Sequence, residues 1–123
     1  MTTEFSRMII VTAIDGSREA YPLTCRQDAI NDLAINLYFD VPEAYNAFKA
    51  WAADLVEPGE DVDPDDSGAF SQWTDYKAID MIDEAMKSGR SAAFDVAVEI
   101  TDDERPYEVD ADGIVYTDAR ALA

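Results

Sequence analysis

The fold of this chain depends on one apolar, β-branched run, Met8-Ile-Ile-Val-Thr-Ala-Ile14. Because β-branched side chains favour extended backbone, and because no charged residue interrupts the run, it predicts a central strand. Asp15-Gly16-Ser17 then supplies turn residues, and residues 18–24 are predicted to form the second strand of a hairpin. Pro22 has no N–H to donate to a neighbour, which places this second strand at an edge of the sheet.

After residue 25 the apolar residues recur at the spacing of a helix, and two helices are predicted before residue 58. The first begins near Arg26, where Thr24 and Gln27 have the spacing of a capping box. The second follows Asp40, a good N-cap residue, and has Pro42 in its first turn, where the missing N–H costs little.

A third helix is predicted over about residues 70–88, and Gly89 is its expected stop. Core packing is the prediction for both tryptophans, Trp51 and Trp73. If one of them were exposed beside acidic residues it would make a good interface anchor, because tryptophan and tyrosine dominate binding hot spots. The predicted apolar stripe of the third helix consists of Trp73, Tyr76, Ile79, Ile82 and Met86.

The C-terminal third of the chain returns to strand patterns. Residues 92–100 alternate between an apolar and a mixed face, and Asp112-Gly113 predicts a hairpin turn between two further short strands. The predicted fold class is α+β, with a single domain over residues 1–123. It has an antiparallel sheet of about four to five strands and about three helices packed on one face, in the order β-β-α-α-α-β-β-β.

Charge is the second dominant feature of the sequence. The chain has 27 acidic residues, nine basic residues and no histidine, which gives a formal net charge of −18 over 123 residues. Hydrophobic residues still make up 48%, so the charge belongs to a folded scaffold. Such a charge favours a soluble monomer or small homo-oligomer and speeds encounter with cationic proteins. It also disfavours binding to nucleic acid or to an anionic membrane.

Composition also bears on location and catalysis. Cys25 is the single cysteine, so no internal disulfide can form. Together with the lack of a signal-peptide pattern and of a long apolar run, this predicts a cytoplasmic protein. The lack of histidine removes the commonest general base, and no glycine-rich phosphate-binding motif is present. We therefore expect neither an enzyme nor a bound cofactor.

The segment 57–68 is an acidic loop that partly matches a calcium-binding EF-hand loop. Asp63, Asp65 and Ser67 occupy the first three ligand positions of such a loop. The twelfth position, however, holds Thr74, where a bidentate glutamate is needed. A solvated loop or an acidic contact surface is therefore predicted in preference to a metal site.

Acidic residues are concentrated beyond residue 56, where 19 of the 27 lie. On the third helix, carboxylates three or four residues apart would lie about 5–6 Å from one another, the scale of successive phosphates on a nucleic-acid strand. A solvated helix face is the simpler interpretation of the helix alone, but the helix and loop together favour a negatively charged partner-binding surface. The residues predicted to form it are Glu57, Glu60, Asp61, Asp63, Asp65, Asp66, Asp75, Asp80, Asp83 and Glu84.

In size, extreme acidity, lack of histidine and acids on both a helix and a loop, the chain resembles the small acidic DNA-mimic inhibitors of phages and mobile elements. These include anti-restriction and some anti-CRISPR proteins. The resemblance covers the whole chain and rests on no shared motif. It implies a basic nucleic-acid-binding protein or complex of a bacterial host cell as the partner, whose cationic groove the inhibitor occupies in place of target DNA.

Two alternatives share this electrostatic profile. Cytosolic proteins of extreme halophiles are also rich in acids and poor in lysine, and this chain has three lysines. An immunity or antitoxin-type protein that neutralises a basic nuclease would carry the same charge. An even spread of acids and unfolding at low salt favour the halophile, whereas binding to a basic partner that weakens as salt rises favours mimicry.

Overall fold

The computed structural model of the protein describes residues 2–54, 67–117 and 119–122, in the element order β-β-β-α-α-α-β-β-β-β. The predicted α+β class, with three helices and antiparallel strands, is confirmed. The helices are α1 (Arg26–Phe39), α2 (Pro42–Asp54) and α3 (Ser67–Ser88). The strands are β1 (Thr2–Ser6), β2 (Met8–Thr12), β3 (Arg18–Pro22), β4 (Arg90–Ala93), β5 (Val96–Ile100), β6 (Arg105–Val109) and β7 (Val115–Thr117).

The run that begins at Met8 forms β2, a central strand of a four-stranded antiparallel sheet with the order β3-β2-β5-β4. It pairs with β3 from Met8 opposite Pro22 to Thr12 opposite Arg18. The turn between them contains Gly16 at a φ of 87°. β3 is an edge strand, so the missing N–H of Pro22 need not interrupt a ladder. The predicted central strand, hairpin and edge position are all confirmed.

β2 is buried on both faces, which explains why its sequence is apolar without alternation. Because successive side chains of a strand point to opposite faces, Ile9 and Val11 lie on one side and Met8 and Ile10 on the other. Ile9 and Val11 join the core that contains the three helices and β5, whereas Met8 and Ile10 pack with Ala20 and the C-terminal residues. These four side chains of the five-residue strand are at most 2% exposed.

The prediction of a single sheet of four to five strands is wrong, because the strands form two sheets. The second sheet has three strands in the order β1-β6-β7. It contributes Tyr107 of β6, which together with Leu122 covers the second face of β2. The sequence does not predict β1, because Thr2–Ser6 has one apolar residue, Phe5, and no apolar alternation. The segment is a strand through its pairing with distant β6. The predicted hairpin around Asp112-Gly113 is confirmed as β6 and β7.

The single strand predicted over residues 92–100 is also wrong. The segment contains the end of β4 and the whole of β5, which are joined by Phe94 and Asp95. Both turn residues have positive φ, 55° and 65°, as in a type I′ turn between antiparallel strands. Such turns are usually marked by Asn-Gly or Asp-Gly, so Phe-Asp gives no turn signal in the sequence.

α1 and α3 pack on the face of the four-stranded sheet that lies opposite the second sheet, and α2 packs against both helices. α1 and α3 are antiparallel. Arg26 at the start of α1 pairs with Asp83 near the end of α3, and Tyr38 near the end of α1 stacks on Phe70 near the start of α3. Among the described residues, no helix has the length and apolar character needed to cross a membrane.

The capping box predicted for α1 does not form. A 3-10 turn, Leu23–Cys25, precedes the helix and takes up Thr24. No side-chain hydrogen bond from the described residues caps α1 at Cys25. Gln27 instead donates from Nε2 to Oδ1 of Asn31, one turn further along the helix.

The buried stripe of α3 also differs from the predicted one. Ile82 is fully buried, but Tyr76 and Met86 are exposed. Small side chains at the centre of the true stripe let α3 lie close to α1 and the sheet, so that these larger residues are left outside. The buried positions of α3 are Phe70, Thr74, Ala78, Met81, Ile82 and Ala85.

We predict that Asp95→Gly stabilises the protein, because glycine adopts a positive φ without the steric cost that an L side chain carries. The expected gain in the free energy of unfolding, measured by urea denaturation, is about 0.5 kcal/mol. Asp102→Gly is the matched control, since it removes the same charge from an exposed turn residue that does not have a positive φ. It should be neutral or destabilising, and an equal gain in both variants would assign the effect to charge alone.

Candidate partner-binding site

The structure places four of the ten predicted partner-binding residues, and all four lie on α3. The candidate site is therefore described from the exposed face of this helix, which carries Asp75, Asp80, Asp83 and Glu84. The other six lie outside the described residues, in the sequence between the end of α2 and the start of α3. They are Glu57, Glu60, Asp61, Asp63, Asp65 and Asp66.

The four carboxylates of α3 do not form one continuous row. Asp80, Asp83 and Glu84 lie within little more than one helical turn, since a turn takes about 3.6 residues. Asp75 precedes this cluster and projects about 140° away from Asp80 around the helix axis. It lines a separate groove between α1 and α3. The described part of the predicted surface thus consists of a cluster of three acids and one acid on another flank of α3.

Asp83 has a partner within the protein. Its Oδ1 accepts a hydrogen bond from a terminal guanidinium nitrogen of Arg26, which makes an ion pair between α3 and the start of α1. Both side chains remain about half exposed, and exposed ion pairs of this kind add about 0.2–1 kcal/mol to stability. The negative charge of Asp83 is therefore partly neutralised by an ion pair that links α3 to α1.

Asp80 lies beside three aromatic side chains. Trp51 from α2 and Trp73 and Tyr76 from α3 line a cleft together with Asp80, which we call the aromatic cleft. Trp51 is 44% exposed and Tyr76 is 60% exposed. The prediction that both tryptophans pack in the core is therefore wrong for Trp51. The alternative, an exposed tryptophan beside an acid, is the arrangement found.

The indole rings of the aromatic cleft are supported from behind by the core. The ring of Phe48, which is fully buried, lies 6.0 Å from the ring of Trp51 and 6.1 Å from that of Trp73. Phe70 stacks on Trp73 with a centroid separation of 6.2 Å. Aromatic pairs at such distances hold their rings in defined orientations. The two indoles therefore form fixed walls of the cleft.

Lys77 also lines the aromatic cleft, but its ammonium group lies over the ring of a neighbouring residue, Phe94. Its Nζ lies over the ring of Phe94, 5.8 Å from the centroid, and that ring lies 6.4 Å from the ring of Trp73. A cation over an aromatic face is attracted by the ring quadrupole. Phe94 therefore has a role besides the turn, because its ring lies between Lys77 and the ring of Trp73.

The groove that Asp75 lines has a different character. Ile35 and Phe39 from α1 border it and are 56% and 73% exposed. Both residues fall outside the helical stripe of α1 that packs in the core, so the sequence pattern contained a signal for their exposure. The groove therefore combines exposed apolar side chains with the carboxylate of Asp75 and with further polar residues from both helices.

The cations of the protein neutralise few of its acids. Within the described residues, ion pairs join Arg26 to Asp83, Arg105 to Asp103 and Arg120 to Glu108. Arg7 and Arg18 donate to the backbone carbonyls of Thr101 and Leu122, and Lys49 lies over the ring of Tyr45 at 4.6 Å. No acidic side chain whose exposure the structure describes is buried. The negative charge is therefore presented to solvent.

The acids near the C-terminus serve partly to shape turns. Asp110 Oδ1 accepts hydrogen bonds from the backbone N–H groups of Asp112 and Ile114, which closes the β6–β7 turn. The hydrogen bond that Arg105 donates to Asp103 holds the pKa of this exposed carboxyl below its ordinary value. The contact with Arg105 favours the ionised form of Asp103.

A polar network joins β3 to α1 at another place on the surface. Tyr21 Oη donates to Asp32 Oδ2 at 2.7 Å, and Asn36 Nδ2 donates to Asp32 Oδ1 at 3.0 Å. Partial burial, and then the hydrogen bond to Asp32, raise the pKa of Tyr21 well above its ordinary value. Asp32 thereby has its oxygens satisfied within the protein and acts as a structural acceptor.

The EF-hand comparison does not hold. α3 begins at Ser67, so the matching stretch is helix from its fifth position onward, where an EF-hand needs loop. Thr74, at the twelfth position, is buried, and its Oγ1 donates to the carbonyl of Ser71. Asp63 and Asp65 lie outside the described residues.

Comparison of the chain with protein-family models, with curated proteins and with solved structures found no match. The site is therefore interpreted from its own geometry and charge.

We predict that the Arg26–Asp83 pair contributes about 0.2–1 kcal/mol of coupling to the free energy of unfolding. A double-mutant cycle with Arg26→Ala, Asp83→Ala and the double variant, measured by urea denaturation, isolates this coupling. It should disappear near 1 M salt, where the Debye length is about 3 Å. A coupling that persists there would contradict a purely electrostatic contact.

We also predict a loss of stability at alkaline pH that depends on Tyr21. Because its pKa is raised in the folded state, the folded protein retains a proton that the unfolded chain loses above about pH 10. The contribution is complete below that pH, and the free energy of unfolding falls as pH rises above it. Urea denaturation between about pH 9 and pH 11 should show a smaller loss for Tyr21→Phe than for the wild type, and Tyr76→Phe is the exposed control.

Proposed function

We propose that this protein is an acidic DNA-mimic inhibitor in the cytoplasm of a bacterial host. In this proposal it occupies the cationic nucleic-acid-binding groove of a defence complex, of the anti-CRISPR or anti-restriction type, and blocks target DNA. It acts by binding and carries out no chemistry. Charge attraction speeds the encounter with the groove, and exclusion of DNA follows from occupancy of the same surface.

The observation that carries the proposal is the exposed face of α3. There Asp80 lines the aromatic cleft with exposed Trp51 and Tyr76. Glu84 lies one helical turn beyond Asp80 and is also exposed. Carboxylates three or four residues apart on a helix are about 5–6 Å from each other, which suits lysine and arginine side chains that otherwise contact phosphates.

Exposed aromatic residues favour an interface over solvation chemistry. A surface that is acidic only for solubility in high salt has no need to expose Trp51 and Tyr76, whose apolar area is costly in water. Interfaces, in contrast, are enriched in tryptophan and tyrosine at their centres. This combination of acids and aromatics supports the inhibitor in preference to the halophile interpretation.

We predict that the triple variant Asp75→Lys, Asp80→Lys and Glu84→Lys loses affinity for the partner by at least about tenfold, mainly through slower association. Asp83 is left intact so that the ion pair to α1 is preserved. The immobilised protein is used to retain basic complexes from a bacterial lysate at low salt. A retained nucleic-acid-binding complex is then tested for double-stranded DNA binding with and without the inhibitor.

The control variant carries the same change in net charge at exposed acids outside the helix layer, Glu4→Lys, Glu19→Lys and Asp112→Lys. It should lose much less affinity than the α3 variant. The proposal fails if both variants lose affinity equally, if the retained complex binds DNA normally when saturated with inhibitor, or if only ribosomal proteins are retained. Unfolding of the wild type on removal of salt would favour the halophile instead.

A further inference from the structure

We propose that the aromatic cleft is a receptor for one arginine side chain of the basic partner protein. This inference rests on the proposed function, which supplies a cationic partner, and it adds the contact that gives specificity. The guanidinium would stack on the indole and phenol faces of Trp51 and Tyr76, with Asp80 accepting its hydrogen bonds. The remaining acids of α3 would attract the partner without fixing its position.

The walls of the cleft suit a flat cation. Trp51, Trp73 and Tyr76 supply three ring systems in one depression, and the two indoles rest against the buried ring of Phe48. Cation–π attraction is strongest over tryptophan, and the planar guanidinium both stacks on rings and donates several hydrogen bonds in one plane. An ammonium group has no plane to stack, so arginine is favoured over lysine.

Charge complementarity points in the same direction. Asp80 is exposed at the cleft, and no hydrogen bond or ion pair joins its carboxylate to any residue in the described ranges. Lys77, the one cation among the lining residues described, has its Nζ over the ring of Phe94 at 5.8 Å. The free carboxylate is therefore available to a guanidinium, while Lys77 weakens the attraction without occupying Asp80.

The cleft also provides its own reporter. The chain has two tryptophans, and both line the cleft, so the two indole N–H resonances of the uniformly nitrogen-15-labelled protein observe this site. The probe is the blocked tripeptide acetyl-Gly-Arg-Gly-amide, titrated into the full chain at low salt. Two further peptides carry lysine or citrulline in place of arginine, and citrulline keeps the planar group but has no charge.

We expect the arginine peptide to shift both indole resonances to saturation. Its apparent affinity should be at least about threefold higher than that of the lysine peptide, as expected from arginine's stronger stacking on aromatic faces. The citrulline peptide should leave the resonances nearly unchanged. Equal shifts with citrulline would show apolar binding, and unshifted indoles would show no binding in the cleft. Either result overturns the proposal.

Substitutions test the role of each wall. Asp80→Asn should weaken arginine binding about twofold to fivefold, and Tyr76→Ala by a similar factor. Lys77→Gln should strengthen it about twofold, because it removes a like charge. Asp75→Asn is the matched control, since it removes one charge from the same helix but borders the other groove. An equal loss in Asp75→Asn and Asp80→Asn overturns the assignment of the contact to this cleft.

These results separate the cleft from the wider function. Suppose that the charge-reversal variant of α3 loses its partner but the arginine peptide does not shift the indole resonances. The proposed function is then supported, and the assignment of the cleft as an arginine site is wrong. If the peptide binds with the expected dependence on Asp80 but no DNA-binding complex is inhibited, the arginine site is supported and the proposed function is wrong.

Discussion

The burial of β2 on both faces is the constraint on which the rest of the structure depends. One strand supplies Ile9 and Val11 to the helical core and Met8 and Ile10 to the second, smaller core. Each face must be covered, so the chain needs helices on one side and a second sheet on the other. Because the interior is filled by these two layers of apolar residues, the charged side chains are confined to the outside. The acidity and the fold are therefore separable: one strand organises the core, and the surface is left free to carry charge.

That freedom has a cost in stability, which the structure reduces only in part. A net charge of −18 destabilises a compact chain by self-repulsion. Three cations form ion pairs with acids in the described ranges, and others are directed to carbonyl oxygens or aromatic rings. Some carboxylates are satisfied internally, as Asp32 is by Tyr21 and Asn36, or take part in turns, as Asp110 does. Within the described residues, no hydrogen bond or ion pair reaches the carboxylates of Asp80 and Glu84, which leaves them available to solvent or to a partner.

The parts of the fold that were predictable are those in which one residue pattern has one physical meaning. The uninterrupted run at β2 and the Asp-Gly turn before β7 are of this kind. The type I′ turn at Phe94 was hidden because nothing in Phe-Asp signals a positive φ, and the packing of the Phe94 ring near Trp73 and Lys77 is tertiary. β1 was hidden because its mostly polar residues form a strand against a partner far along the chain.

For the candidate site, the exposure of the acids on α3 was predictable from the sequence. The pairing of Asp83 with Arg26 was not, since it depends on the antiparallel packing of α1 and α3.

Trp51 is exposed in the structure, although the sequence predicts that it packs in the core. Helical spacing predicts burial for large apolar residues, yet the buried positions of α3 include the small residues Thr74, Ala78 and Ala85. The larger ring of Tyr76 lies at the exposed margin of α3, where it lines the aromatic cleft together with Trp51 from α2 and Asp80. Exposed apolar area is unfavourable in the free protein and is removed on association. A carboxylate at the same place makes that association selective for a cation, because burying Asp80 under a neutral surface would leave its charge unpaired. The same packing that makes the helix layer compact thus creates a surface that a basic, arginine-bearing partner satisfies better than an apolar one.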